Sequence, residues 1–299
     1  MMNKNEIVVS VCMITYNHEA YIRQAIESVL SQKTGYEFEL VIGEDCSTDT
    51  TRAICEEYAG TQIRISLLPS VNNLGLMPNF IRTMQACRGR YIAFCEGDDY
   101  WTDPLKLQKQ VEFLESNSSY AGCAHQSMVL VDNNESRLFR QQVPTEIAVT
   151  DLIGLRLFHT ASVVFRSSVL ELIYKAPPVI SGDRLVNFCI AFSGKYRFFD
   201  DCMCVYRLHD AGMSSVATID QMKLDLNSVP YLKKINPAFP QYHYLSYVYL
   251  TIGLCKSGSL YQRMYYRFLS FLFSFSYFPA NLKELFKQFT GKFRKLFNM

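Results

Sequence analysis

The chain has no strong charge bias and no long apolar run. Lysine and arginine number 30 against 28 acidic residues, a net charge of +2, which argues against a nucleic-acid-binding surface on overall balance. No stretch reaches the ~18 consecutive apolar residues of a spanning helix. No G-x-G-x-x-G follows the first apolar run and no G-x-x-x-x-G-K-[ST] occurs, so a dinucleotide dehydrogenase and a P-loop NTPase lose their main support. The ten cysteines contain no C-x-x-C; Cys12, Cys95 and Cys189 lie inside apolar runs, which reads as reduced, buried thiols rather than a disulfide scaffold. Cys202 and Cys204 bracket one residue in a strand-like run and lack a second ligand pair, so they read as packing rather than a zinc site. Near the N-terminus Glu6 interrupts the basic character of Lys4, and no small-residue cleavage site follows residues 7–14, so no secretory leader is expected and the compartment is expected to be the cytoplasm. What is present is 49% apolar and 14% aromatic residues over 299 positions, enough for a substantial core and against disorder.

The first half alternates short β-branched runs with helical periodicity. Residues 7–14, 38–43, 63–68 and 91–95 read as buried strands. Between them Tyr21, Ile22, Ala25, Ile26, Val29 and Leu30 recur at helical spacing, Ser47 and Asp49 offer caps to a helix running to Tyr58, and a further helix covers about 77–87. Asp103-Pro104 is expected to open the next helix with proline at its first position. This pattern predicts an α/β fold, a doubly wound, mostly parallel, Rossmann-like sheet, whose ligands bind beyond the carboxyl ends of the strands. Those tips are acidic: Glu44-Asp45 after the second strand, Glu96-Gly97-Asp98-Asp99 after the fourth. Carboxylates there can accept hydrogen bonds from a base or ribose, or hold a divalent cation that in turn holds phosphates.

At these residues the sequence resembles the family 2 glycosyltransferases of the GT-A fold. The matching pieces run from Val9 to Asn17, Phe38 to Thr51, Asn73 to Gly75 and Gly89 to Trp101, continuing through Asp103, Pro104 and Lys106. The resemblance is firm over about 7–125, looser to about 215 and absent beyond. It implies donor-site roles for Thr15, Tyr16, Glu19, Asp45, Glu96, Asp99 and Arg207, with Tyr16 stacking on the base and Asp45 hydrogen-bonding it. It also implies Asp98 as a ligand of Mn2+ or Mg2+ in the place of the family's D-x-D motif, where Glu96 replaces the usual first Asp, and His209 as a second ligand. Asp183, in Gly182-Asp183 before an apolar helical run, takes the place of the general base. Other readings stay open: Tyr16 as a rim aromatic, Asp45 and Asp183 as helix caps, the acidic turn as a solvated one. Trp101 reads as packing beneath this turn. His159, ahead of a strand-like stretch at 160–166, is a candidate for the acceptor site; His18 and His125 carry weaker signals, and Asp200-Asp201 read as caps.

The implied organisation is a GT-A domain over 1–215, with a nucleotide-sugar half (1–125) and an acceptor half (126–215), and a C-terminal helical appendage over 216–299. From Asn281 onward five basic residues accompany one Glu, and Leu282, Leu285, Phe286, Phe289, Phe293, Leu296 and Phe297 fall on one helical stripe. That pattern reads as an in-plane membrane helix, or else a helix packed on the protein. The implied activity is inverting, metal-dependent transfer of a sugar, most simply from a UDP-linked donor, to a saccharide or lipid-linked saccharide in surface-polysaccharide synthesis at the inner face of the membrane. Nucleic acid is not an expected partner, and a homo-oligomer stays open. A non-catalytic nucleotide-sugar-binding or membrane-scaffold subunit is the alternative; a nucleotidyltransferase is disfavoured by the lack of a Gly-rich basic loop after the first strand.

Overall fold

The computed structural model describes residues 6–62, 64–131, 135–209 and 217–277, so the segment 282–297 and most of the stretch after His209 lie outside the described residues. The chain divides into two compact units, Met1–Ser215 and Val216–Met299.

The first unit is built on one mixed sheet. Strands β1 (Val9–Thr15), β2 (Phe38–Glu44), β3 (Ile65–Leu67) and β4 (Tyr91–Phe94) are parallel, in the order β3-β2-β1-β4. Three helices connect them: α1 (Ile22–Leu30), α2 (Thr51–Thr61) and α3 (Leu76–Ala86). β1 and β2 are buried along their whole length, which is why they read as continuous apolar runs. Beyond β4 the sheet changes direction. β5 (Tyr100–Trp101), β6 (Tyr120–Val131), β7 (Glu135–Leu138), β8 (Val164–Arg166) and β9 (Lys195–Leu208) extend it as β4-β8-β6-β9-β5, with β7 hairpinned onto β6. β8 is antiparallel to both β4 and β6, whereas β9 runs parallel to β6. The parallel expectation therefore describes the first four strands, and the remainder is mixed.

Helix α4 (Lys106–Ser116) starts two residues after Pro104. Asp103 explains the delay: its carboxylate accepts from Leu105 N (2.8 Å), so Pro104 lies in a turn that precedes the helix. One face of the sheet is covered by Ile22, Ala25, Ile26 and Val29 of α1 and by Leu107, Val111 and Leu114 of α4, all fully buried. Each of these Ile, Val and Leu side chains contributes about 1.5–3 kcal/mol of burial. Trp101 belongs to this core; its indole N–H donates to Ala161 O (3.0 Å). Two further helices, α5 (Leu170–Tyr174) and α6 (Gly182–Ser193), follow β8. The stretch at 160–166 is not a single strand: Thr160–Ser162 is a 3-10 turn, closed by Ser162 Oγ donating to His159 O (2.6 Å), and only Val164–Arg166 joins the sheet.

The second unit is helical: α7 (Ile219–Lys223), α8 (Ser228–Ile235), α9 (Gln241–Leu254) and α10 (Leu260–Tyr277). α9 and α10 pair through stacked Tyr249 and Phe273 (5.4 Å between centroids) and through Arg267 Nε donating to Gly253 O (3.1 Å). No described helix is long and apolar enough to cross a membrane.

Candidate active site

The register of the sheet assembles the site. Thr15 at the end of β1 lies opposite Glu44 at the end of β2, and Asp45 N donates to Thr15 O (3.0 Å). β4 ends beside Cys12, and the chain runs on along β1, with Gly97 N donating to Ile14 O (2.9 Å). Three strand tips thus meet at one level, with the Glu96–Asp99 turn directly beside Thr15.

The loop after β1 is fastened to the loop after β2. Asn17, with φ of 55°, accepts from Thr48 N at its Oδ1 (2.8 Å) and donates its own N–H to Ser47 Oγ (3.0 Å). His18 N donates to Thr51 Oγ1 (2.8 Å), and Glu19 N donates to Asp49 Oδ2 (3.1 Å). Asp49 accepts from Thr51 N (2.9 Å) just ahead of α2, whose N-cap is Thr50, and Ser47 serves the β1 loop instead of the helix.

Several residues singled out in the sequence are committed to the protein. The Glu19 carboxylate accepts from Thr50 N (3.0 Å) and Thr50 Oγ1 (2.7 Å), so it braces the start of α2. Asp45 is buried and caps no helix; its two oxygens accept from Leu74 N (2.9 Å) and Gly75 N (2.8 Å), which pins the Asn73-Leu74-Gly75 loop. Arg207 is buried on β9. Its N–H donates to Asp99 Oδ1 (2.9 Å), its guanidinium donates to Asp98 O (2.7 Å) and Gln24 Oε1, and that group lies 4.4 Å from the centre of the Tyr100 ring. Arg207 therefore holds the acidic turn against β9. Tyr16, by contrast, is 43% exposed at the rim, open to a flat ligand.

The acidic turn and its neighbours form two groups of candidate metal ligands. His18, Asp98 and His209 present ligand atoms within 4.8 Å of one another, as do Glu96, Asp99 and His159. Asp98 Oδ2 is 3.2 Å from His209 Nε2 and 3.7 Å from His18 Nε2. Burial presses the Asp98 carboxyl upward, but the His209 hydrogen bond and the His18 ring outweigh it and hold Asp98 below the usual carboxylate range. A charged oxygen flanked by two imidazoles suits a divalent cation, and the group brings together Asp98 and His209, the two residues expected as ligands, with His18 beside them.

The second group lies deeper. His159 Nδ1 is 3.2 Å from Asp99 Oδ2, its Nε2 is 3.8 Å from Glu96 Oε2, and its ring stacks on Tyr206 (4.1 Å between centroids). Burial, reinforced by Arg156, drives the His159 pKa down to about 3, so the ring is neutral. Burial together with the Asp98 and Asp183 charges pushes Glu96 up to about 8, and burial with the Asp98 and Glu96 charges raises Asp99 as well. Asp183 stands in the first turn of α6, paired with Arg156 Nε at 3.0 Å. Its burial is outweighed by the guanidinium groups of Arg156 and Arg184, so its carboxyl is held low. One site thus contains two carboxylates kept ionised, Asp98 and Asp183, and two carboxyls pushed toward the neutral form, Glu96 and Asp99.

In the sequence His18 carries only a weak signal, and nothing there pairs Asp99 with His159. The signal for His18 was its place one residue beyond Thr15-Tyr16-Asn17, at a strand tip. His125 is buried in the sheet with Nδ1 2.8 Å from Gln126 O, and Asp201 pairs with Lys109 (3.1 Å). Neither Cys202 nor Cys204 belongs to a metal-ligand group among the described residues.

An uncharacterised protein of Mycobacterium tuberculosis is 34% identical over 220 residues, 72% of this chain and 62% of that protein, so the chain spans less than two thirds of that relative's length. TuaG of Bacillus subtilis, provisionally named a teichuronic acid biosynthesis glycosyltransferase, is 37% identical over 111 residues, 37% of this chain and 43% of that protein. Among solved structures, S. aureus TarS 1–349 in complex with UDP-GlcNAc superposes with a TM-score of 0.59 at 17% identity, over 82% of this chain and 81% of that one. The mannosyltransferase PcManGT from Pyrobaculum calidifontis, in complex with GDP-Man and Mn2+, gives 0.57 at 16% identity, over 98% and 82%. At these identities the likeness is one of fold, the GT-A arrangement of a mixed sheet with helices. Residues 10–172, more than half of the chain and running from β1 into α5, match the family described as glycosyl transferase family 2, and the chain belongs to that family.

Proposed function

We propose that the chain transfers a sugar, with inversion, from a nucleotide-sugar donor to a hydroxyl of a saccharide or lipid-linked saccharide. The observation that carries this reading is the pair of ionised carboxylates with different surroundings: Asp98 between two imidazoles, Asp183 at the start of α6. Inverting transfer is a single displacement. One group accepts the acceptor hydroxyl's proton, and positive charge faces the departing diphosphate. Asp183 is ionised at neutral pH and takes the proton. Asp98 and His209 would hold the Mn2+ or Mg2+, which when bound supplies positive charge to the leaving phosphates.

In this reading Tyr16 offers its exposed ring to the base, and Thr15, Glu96 and Asp99 border the donor. Asp45, Glu19 and Arg207 act as positioning residues, through the backbone groups they hold. Residues 1–125 carry the donor and 126–215 the acceptor. A UDP donor is the first choice, with GDP as the competitor that PcManGT's ligand raises. TuaG's name supports a setting in surface-polysaccharide synthesis, where the acceptor is lipid-linked and the enzyme works at the inner face of the membrane.

The test is a thermal-shift panel with UDP-, GDP- and dTDP-sugars, with and without Mn2+ or Mg2+, followed by an assay of nucleoside diphosphate release. A donor at ~100 times its dissociation constant raises stability by about 2.7 kcal/mol. A cation-dependent shift with one nucleotide class and release of that diphosphate is expected. Folded protein whose melting no donor shifts would favour the non-catalytic membrane-scaffold reading.

A further inference from the structure

We infer that His18 is a third protein ligand of the cation, so that the metal is held by two imidazoles and one carboxylate and the site selects Mn2+ over Mg2+. The inference deepens the transferase reading at its cation site. It rests on how His18 is built into the structure.

Two atoms each about 2.1 Å from a shared ion, and at right angles to each other, stand about 3.0 Å apart. Asp98 Oδ2 lies 3.2 Å from His209 Nε2 and 3.7 Å from His18 Nε2, and the three ligand atoms fall within 4.8 Å of one another. The set comes from three separate places in the chain: the loop after β1, the turn after β4 and the end of β9. Only the turn after β4 is acidic; the two imidazoles are brought to Asp98 from elsewhere in the fold.

His18 is also oriented as a ligand must be. Its Nδ1 is 3.2 Å from Thr15 Oγ1, on the side of the ring away from Asp98. A hydroxyl that accepts from Nδ1–H leaves Nε2 bare and pointing at Asp98, the outer-shell arrangement that fixes the tautomer of metal-bound histidines. The main chain of His18 is fixed as well, by its N–H donating to Thr51 Oγ1 (2.8 Å). The acidic turn makes room for the pair. A Cβ at position 97 would stand 2.4 Å from Thr15 Oγ1, 2.6 Å from Thr15 Cβ and 3.1 Å from His18 Nδ1, so glycine at 97 is what lets Thr15 and His18 sit against Asp98.

The competing group, Glu96, Asp99 and His159, lies deeper. Asp99 Oδ1 accepts from Arg207 N while its Oδ2 is buried with no hydrogen-bond partner, His159 Nδ1 already accepts from Ala161 N (3.3 Å), and Asp99 and His159 are both buried. The His18 group is only partly buried, and its two nitrogen donors set the metal preference. Magnesium favours oxygen ligands and retained water, whereas imidazole suits the transition metals.

The test uses the full chain and Mn2+ alone. Free Mn2+ is titrated by EPR, and the nitrogen couplings of bound Mn2+ are read by pulsed EPR, for the wild type, His18→Ala, His18→Asn and Thr15→Val. The wild type is expected to show two imidazole nitrogens and His18→Ala one, with Mn2+ affinity down at least about tenfold and the Mn2+/Mg2+ preference reduced. Thr15→Val should keep both nitrogens and lose affinity. His18→Asn, which keeps a polar group beside Thr15, covers the case in which His18→Ala does not fold. Two nitrogens and unchanged affinity in folded His18 variants would overturn the assignment, as would a wild-type spectrum with a single nitrogen. Two nitrogens in a wild type that turns over no donor would leave the cation site standing and remove the transferase reading; turnover with a single nitrogen would do the reverse.

Discussion

At the scale of single residues, the site separates its carboxyl groups by their neighbours. Asp183 owes its low pKa to Arg156 and Arg184, against the upward push of burial. Asp183→Asn should leave donor affinity intact and lower kcat by about 10²–10⁴-fold, the usual contribution of a general base. Normal turnover in that variant would remove the assignment. Arg156 gives a second handle. Removing its guanidinium takes away a charge that stabilises ionised Asp183, so the Asp183 pKa rises and the acidic limb of the kcat/KM profile moves to higher pH in Arg156→Gln. A limb that stays in place would mean that Asp183 is not the titrating base. Asp98→Asn should abolish the cation-dependent part of donor binding in a thermal-shift measurement. Asp98 was legible because its strand tip can be read from an apolar run, and Asp183 through the family resemblance; Arg156 was not. The tasks of Asp45, Glu19 and Arg207 were not, because each depends on a partner far along the chain: Leu74 and Gly75 for Asp45, Thr50 for Glu19, Asp98 and Gln24 for Arg207. Residue type says that a charge is present; only the fold says whether it faces a ligand or a backbone amide.

At the scale of elements, α4 carries a lysine into the core. Lys106 is fully buried, with Nζ donating to Gln110 Oε1 (2.8 Å) and lying 4.2 Å from the centre of the Trp101 ring. Burial lowers its pKa to about 8. The unfolded chain, with an ordinary lysine near 10.5, binds more protons than the folded chain between about pH 8 and 10.5. Stability from this group therefore climbs with pH through that window, and its cost is full below it. Lys106→Met should flatten the climb. It should also raise the unfolding free energy at pH 7, read from urea titrations, by about 1–2 kcal/mol once the lost Gln110 bond is counted. An unchanged pH slope would show that the buried amine is better compensated than its surroundings suggest. The strands and helices of the first half were legible because each is apolar on a clear period. Asp103 and the 3-10 turn at Thr160–Ser162 were not, since a single side-chain bond decided each against a smooth apolar pattern. The sheet order beyond β4 was equally hidden: β8, β6 and β9 pair by contacts between segments far apart in sequence.

At the scale of the whole molecule, the second unit bears on where the protein works. On α10, Leu260, Tyr261, Met264, Tyr265, Phe268 and Leu272 are each 45–80% exposed, and their spacing keeps them along one side of the helix. Ordinary surfaces scatter such residues singly; a continuous row calls for a partner. The sequence beyond it adds five basic residues and an apolar stripe between Asn281 and the C-terminus. Basic residues near an anionic lipid surface contribute about 1 kcal/mol each, and buried apolar side chains add to that. A membrane would therefore engage both features, with the charge supplying attraction and the aromatic row supplying depth. Deleting residues 281–299 should sharply reduce co-sedimentation with phosphatidylglycerol-containing vesicles, and raising salt should weaken binding of the full chain as the Debye length falls from about 8 Å to about 3 Å. Replacing Tyr261, Met264 and Phe268 together by serine should reduce binding at every salt concentration, because apolar burial is not screened. If neither change alters partitioning while the protein stays folded, the row on α10 and the basic tail serve a protein contact instead.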